Sequence, residues 1–342
     1  MGLFNEGGEH QIQNLGNDQY SLKITLPIDE DGRLARECPS LGCSPGYFKI
    51  TPGTGVTDGH RLAFCPYCKH EAEPTDFSTK EQIRYAKDMA LREAHKGVNN
   101  LIQRTLGLGS SGKKKMGGGM LSIEMSFKPS VLTFVHRPYE DEVRRDVICP
   151  HCTLDQTVFG LATWCADCGV DIFLTHVEAE LAVTRLMLAD IDRRQTQLGK
   201  RVAAKDIENC LEDAVSIFEA AMRAIVKRAM IMRGGSVDKI EQSFKKLGNA
   251  FQNIEKTKKE LYSMFGISPL DETTSEKLKS AFEKRHPITH NLGVIDRKYM
   301  EHAKEISREG REVRLTNNEI SEILNDVYNA ISLTYQKLIL LC

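Results

Sequence analysis

In the second half of the chain, apolar residues recur every three to four positions, the period of a helix with one buried face. Over 203–232, Ile207, Leu211, Ala214, Phe218, Ala221, Met222 and Ile225 fall on one side, and the pattern stops at Gly234-Gly235, a natural helix terminus. A second block, 237–263, carries Ile240, Phe244, Leu247, Phe251, Ile254 and Leu261, and a third, 272–305, carries Leu278 and Phe282. The fourth, 317–340, carries Ile320, Ile323, Leu324, Val327, Ile331 and Leu338 behind Thr316 and Glu319, a capping-box pair. Amphipathic helices joined by short connections predict a four-helix-bundle-like, all-α domain over 203–342.

The first half reads differently. Short β-type runs at 21–28, 46–52 and 121–138 alternate with turn-rich stretches such as TPGTGVTDGH (51–60). Between them, 76–107 has helical spacing through Ile83, Ala86, Met89, Ala90, Ala94, Val98, Leu101 and Ile102. LGSSGKKKMGGG (108–119) has the composition of a flexible linker; its lysine triplet reads as solvated, with a phosphate contact as the functional alternative, and it lacks P-loop order. LTHVEAELAVTRLMLADIDRR, starting at Leu174, is an amphipathic segment read as a connector. The expected class is multidomain α+β, divided into 1–75 and 121–175 as two zinc-ribbon-like modules, 76–120 as helix and linker, 176–202 as connector and 203–342 as bundle.

Composition narrows the function classes. The 342 residues carry 46 Lys+Arg against 47 Asp+Glu, a net charge of −1, which excludes a polybasic coat on nucleic acid but leaves room for a local basic site. No run reaches the roughly 18 apolar residues of a membrane helix, and the first residues lack a signal-peptide pattern. A soluble, cytoplasmic protein without membrane partners is expected.

Eight of the ten cysteines stand in four close pairs. Cys149/Cys152 and Cys165/Cys168 are two C-x2-C knuckles separated by 12 residues. Cys38/Cys43 and Cys65/Cys68 are a C-x4-C and a C-x2-C separated by 21. Paired cysteines in a chain expected to be cytoplasmic point to metal knuckles before disulfides. Each pair of knuckles supplies the four thiolates that tetrahedral zinc prefers, so about two structural zinc ions per chain are expected, with no open position for catalysis. His60 and His70 are alternative ligands beside the wider first module. Such modules either replace a core too small to fold alone or also present a platform for nucleic acid or a protein partner, with Trp164 and Phe173 as candidate base-stacking residues.

The segment EKRHPITHNLGVIDRKYMEH (283–302) carries different chemistry. Arg285 and His290 stand five positions apart, His286 follows the arginine directly, and the continuation is H-N-x-G-x-I-D. This resembles the R-[polar]-x3-H signature of the HEPN superfamily (higher eukaryotes and prokaryotes nucleotide-binding). The likeness covers about 200–342 and is specific only at this segment. It implies a helical bundle acting as a homodimer and a metal-independent endoribonuclease of toxin or host-defence type, with Arg285, His286 and His290 as catalytic candidates and Asn291 in support.

The residues argue for that chemistry independently. Cleavage of RNA by its own 2′-hydroxyl needs a base for the proton and a cation for charge developing on phosphorus; histidine exchanges protons near neutrality, and arginine offers a permanent, planar fork. Five residues along a regular helix rotate by about 140°, which would separate Arg285 from His290. Pro287 predicts a kink or restart near 286–288 that re-aims them. The competing expectations are a non-catalytic zinc-ribbon adaptor whose bundle dimerises or binds RNA, and a DNA-binding protein that uses its ribbons.

Overall fold

Apolar residues at Ala35, Phe48, Val147 and Val158 are buried on the strands of one sheet, and the pairing of those strands joins the two cysteine-rich segments. The computed structural model describes residues 10–17, 19–56, 61–108, 112–117, 123–302 and 309–340. A hairpin of β1 (Gln13–Gly16) and β2 (Gln19–Ser21) is followed by β3 (Leu34–Glu37), β4 (Tyr47–Ile50), β5 (Ala63–Phe64) and β6 (Glu71–Ala72). After the excursion 74–144 come β9 (Arg145–Ile148) and β10 (Asp155–Val158). The central sheet is antiparallel in the order β3-β4-β10-β9, with Phe48 opposite both Arg36 and Val158. Cys38, Cys65, Cys149 and Cys165 lie in a single apolar cluster with Phe48, Phe77, Val147, Val158 and Ile172. Phe77 meets Phe48 edge-on at 6.0 Å.

The excursion contains α1 (Lys80–Thr105) and a hairpin of β7 (Lys113–Met116) and β8 (Ile123–Ser126). Thr79 and Gln82 form a reciprocal capping box, and Gln82 Nε2 donates to the Ala35 carbonyl at 3.0 Å, tying the helix start to β3. The apolar stripe of α1 is not core: Ile83 is 44 % and Val98 40 % exposed, and its other residues are half-buried. The lysine triplet expected in a linker is strand, Lys113 pairing with Ser126, while 109–111 and 118–122 lie outside the described residues. Of the β-type run 121–138, 123–126 is strand and 127–138 is not.

The helical region comprises α2 (Phe173–Ala189), α3 (Ile191–Leu198), α4 (Lys200–Met232), α5 (Val237–Leu247), α6 (Ile254–Phe265), α7 (Glu272–His290), α8 (Arg297–His302) and α9 (Asn317–Tyr335). α4 is central, with α2, α3, α7 and α9 against it. Its Leu211, Phe218, Met222 and Ile225 are buried, each side chain contributing about 1.5–3 kcal/mol by leaving water. The segment expected to be a connector, α2, sends Val177, Leu181 and Leu188 into this same core. Its apolar residues have helical spacing, and the segment ahead of it is tethered to the sheet.

Two helix boundaries and two local details differ from the sequence pattern. The block 237–263 breaks at Gly248, whose φ of +52° suits glycine, and restarts where the Asn253 side chain accepts from Lys256 N at 2.9 Å. The block 272–305 ends at His290 because Leu292 and Gly293 take positive φ. Pro287 does not restart the helix: α7 runs unbroken through it, and the amide that proline lacks falls in the last turn. At α9, Thr316 caps Glu319 N at 3.2 Å, but the Glu319 carboxylate pairs with Lys284 at 2.7 Å instead of closing the capping box.

Sheet and helices are joined through Arg228 on α4. Its NH1 donates to Asp171 Oδ2 at 2.5 Å and to the Tyr335 hydroxyl at 2.6 Å, and Tyr335 also donates to Asp171. Burial and the neighbouring Asp171 raise the Tyr335 pKa, so the phenol remains a donor. The Arg228 side chain is only 21 % exposed and Asp171 29 %, which limits solvent screening without abolishing it. Arg228→Ala is therefore expected to lower unfolding free energy by about 2–3 kcal/mol, below the full cost of stranding a buried charge. Urea denaturation checks it; a change within 0.5 kcal/mol, about that of an ordinary surface substitution, would contradict the joint.

Candidate metal centres and a cationic cleft

Three knuckles share one backbone pattern. Cys65 N donates to the His70 carbonyl at 2.9 Å, Cys149 N to Leu154 at 2.9 Å and Cys165 N to Val170 at 2.9 Å. The fourth residue after each leading cysteine, Lys69, Thr153 or Gly169, has positive φ and donates its amide back to that cysteine's carbonyl. Tyr67 N, His151 N and Asp167 N point at the leading sulfurs from 3.4–3.5 Å. The wider Cys38/Cys43 knuckle closes differently, with Cys38 N on the Gly46 carbonyl at 2.9 Å.

These turns gather Cys38, Cys43, Cys65 and Cys68 into one group and Cys149, Cys152, Cys165 and Cys168 into another, each with its sulfurs within 4.8 Å of one another. Cys38–Cys68 and Cys43–Cys65 sulfurs lie 3.7 and 3.6 Å apart, and Cys149–Cys168 and Cys152–Cys165 sulfurs 3.7 and 3.4 Å. A tetrahedron with Zn–S bonds of about 2.3 Å has an edge of about 3.8 Å, so both groups have the size of a zinc cage. Burial pushes the thiols of Cys43 and Cys152 up to about 12 and raises Cys65 and Cys165 as well. A bound divalent cation supplies the charge that would keep them as thiolates. The donor chemistry therefore fits zinc, held by four sulfurs with no open position. His70 contributes its carbonyl to the knuckle and is not among the four ligands, while His60 lies outside the described residues.

The proposed base-stacking pair is committed elsewhere. Lys69 Nζ sits 4.0 Å and Arg228 Cζ 4.4 Å from the Trp164 ring centroid, and Phe173 is buried, stacked on Tyr335 at 5.0 Å. These aromatic rings join sheet to helices.

The arginine–histidine segment forms one wall of a 220 Å³ cleft. Arg285, His286, Thr289 and His290 on α7 face Asn249, Gln252 and Asn253 from the turn between α5 and α6 and Lys256 from the first turn of α6, with Lys279 and Glu283 earlier on α7. The expected angular separation is overcome because the α5–α6 turn covers a broad sector of the helix and His286 fills the arc between its neighbours. The His286 and His290 rings are 5.0 Å apart and tilted by 55°. His290 is exposed, whereas Arg285 and His286 are half-buried.

Arg285 is held from behind. Its Nε donates to Glu212 Oε2 at 2.6 Å and its NH1 to Gln252 Oε1 at 3.1 Å. Thr289 Oγ1 donates to the other Glu212 oxygen. Gln252 Nε2 donates to Glu219 at 2.6 Å, which fixes the orientation of the amide. Two of the five guanidinium N–H groups are thereby used and the rest remain for a ligand oxygen. Asn291 instead stabilises the following turn, donating to the Val294 carbonyl at 2.7 Å.

Glu212, Gln252, Lys256 and Lys279 were not singled out from sequence. Glu212 lies 73 positions from Arg285, and no spacing rule connects them. The one available signal was a carboxylate on the polar side of a helix that was otherwise read for its apolar stripe. No helix among the described residues is long and apolar enough to cross a membrane. No family model matches the chain, and no curated protein or solved structure matches it either. The likeness to the HEPN superfamily therefore rests on the residues of 283–302 and their setting.

Proposed function

We propose that this chain is a zinc-stabilised endoribonuclease whose reaction centre is the cleft at Arg285, His286 and His290. The observation that supports this most is the convergence of all three residues, five positions apart at the extremes, on one cleft that also receives Lys256 and Lys279. In this reading His290 takes the proton from an RNA 2′-hydroxyl. The freed oxygen attacks phosphorus, and the bond to the 5′-oxygen breaks. His286, or water beside it, returns a proton to that leaving oxygen. Arg285 donates to the non-bridging oxygens as charge builds on them. The products are a 2′,3′-cyclic phosphate and a 5′-hydroxyl, so no redox step or co-substrate is required. The helical region is read as a four-helix-bundle-like scaffold that pairs with a second copy, and a toxin or host-defence setting follows from the superfamily likeness alone. Zinc, when bound, stabilises the sheet that positions this scaffold.

The Arg285–Glu212 pair favours a second reading. A cation already neutralised by a carboxylate suits a non-catalytic adaptor that binds RNA or a partner.

Purified, zinc-loaded protein incubated with mixed RNAs in buffer without added divalent cations separates the two. Wild type is expected to leave cyclic-phosphate ends, and His290→Ala to cleave roughly 10²–10⁴-fold more slowly with unchanged helicity. Equal rates for both proteins would refute the catalytic assignment, and no cleavage by either would favour the adaptor.

A further inference from the structure

A second cleft opens at the opposite end of α6. It measures 410 Å³ and is lined by Arg233, Lys239 and Lys246, by Gln242 and Ser243, and by an apolar floor of Met230, Met264 and Phe265. No carboxylate among the described residues lines it, although Asp238 and Glu241 are exposed on α5. Spacing explains the selection: Lys239, Gln242, Ser243 and Lys246 follow the i, i+3, i+4, i+7 face of α5, while Ile240 and Leu247 are buried. Arg233 lies over the Phe265 ring at 4.8 Å. Among the described residues, Arg233, Lys239 and Lys246 have no ion-pair partner, whereas Arg185, Arg193, Arg194, Arg223, Arg228 and Lys258 all do.

The two clefts are bridged by the outer face of α6. Its 12 residues span about 18 Å at 1.5 Å per residue. Lys256, at the first cleft, is followed by Lys259 and Tyr262, all three exposed and successively three residues apart, and Tyr262 is 68 % exposed. The helix thus presents two cations followed by an exposed aromatic ring, with the exposed Glu255 beside them and 4.0 Å from Lys279, and ends in a cationic groove with an apolar floor. A single strand of RNA offers both phosphates for such cations and exposed base faces for such a ring and floor. A folded acidic protein would satisfy the cations but has no regular use for the ring and floor.

We infer that the outer face of α6 and the Arg233/Lys239/Lys246 groove form a binding track for single-stranded RNA, leading the strand into the Arg285 cleft. This extends the endoribonuclease reading, and the experiment keeps the two apart. Binding of fluorescent 2′-O-methyl oligonucleotides, which lack the attacking hydroxyl, is measured by anisotropy for a tetranucleotide and a dodecanucleotide. Cleavage of an unmodified dinucleotide, too short to reach the groove, is measured separately.

Wild type is expected to bind the dodecanucleotide about tenfold or more tighter than the tetranucleotide, since added phosphate contacts raise affinity. Lys239→Ala/Lys246→Ala should remove most of that advantage and reduce the salt slope by about 1.4, from two lost phosphate contacts. Tyr262→Ala should weaken the dodecanucleotide about tenfold with the slope unchanged, the signature of lost stacking. All three side chains are on the surface, and dinucleotide cleavage should not change. Dodecanucleotide binding indifferent to these substitutions overturns the track even if wild type cleaves RNA. Track-dependent binding without dinucleotide cleavage keeps the track and refutes the endoribonuclease. Equal weakening of a polyglutamate peptide by Tyr262→Ala would also overturn the track, because an acidic peptide has no base to stack.

Discussion

Cys165→Ser is expected to leave the protein with no bound zinc, where retention of one ion would be the outcome for two independent modules. Cys165 is fully buried, and the turns around it clasp the first module directly. Phe64 N donates to the Ala166 carbonyl at 2.8 Å, and Thr163 N and Trp164 N donate to Pro66 at 2.9 and 3.1 Å. The Tyr67 hydroxyl spans the same seam, donating to the Tyr47 carbonyl at 2.7 Å and accepting from Phe159 N at 2.9 Å. Phe64 packs so closely on Gly169 that an added Cβ there would lie 3.0 Å from its ring. With β4 paired to β10 as well, one continuous sheet and seam carry both cages, which should therefore fold as one unit. A structural zinc supplies about 10–16 kcal/mol of apparent binding energy, comparable to or above the whole stability of a typical domain. Losing one ion should therefore unfold the shared sheet and release the other. Metal analysis after gel filtration should give about two zincs for wild type and for Leu41→Ser, a change at an exposed loop position, and none for Cys165→Ser. One zinc in Cys165→Ser would show that the cages fold separately.

That cooperativity could not be read from spacing. The eight paired cysteines and their division into two sets follow from local turns, which need only a few consecutive residues and so leave a clear pattern. The pairing of Phe48 with Val158 is a contact over more than a hundred positions, and short β-runs carry no label for their partner. The helices show the same division. The apolar stripe of α4 was plain, because helical period is local, yet α2 was read as a connector although Val177 and Leu181 belong to the core. Its length and period were visible, and its packing partner was not. At the cleft, Arg285, His286 and His290 were marked by their chemistry and spacing. The Glu212 and Gln252 side chains that orient the arginine come from other elements, and only the folded chain brings them there.

Glu212 makes the consequences of removing the arginine separable. Arg285→Ala is expected to slow RNA cleavage roughly 10²–10³-fold, the usual cost of deleting a preorganised donor at developing negative charge. The same change strands a half-buried carboxylate, with both partners 27 % exposed and only Thr289 left to donate to Glu212. That should cost about 1–2 kcal/mol of stability, less than for a fully buried pair because water reaches both groups. Arg285→Lys keeps the charge but cannot reach Glu212 and Gln252 at once with a planar fork, so an intermediate cleavage rate is expected. The decisive protein is Glu212→Gln/Arg285→Ala. Removing the stranded charge should restore most of the stability lost in Arg285→Ala while restoring none of the cleavage. Glu212→Gln alone should lower kcat about tenfold with KM little changed, as expected if the carboxylate acts through the orientation of the guanidinium. If the double variant regains cleavage along with stability, the arginine is a structural partner of Glu212 and the phosphate role proposed for it is wrong.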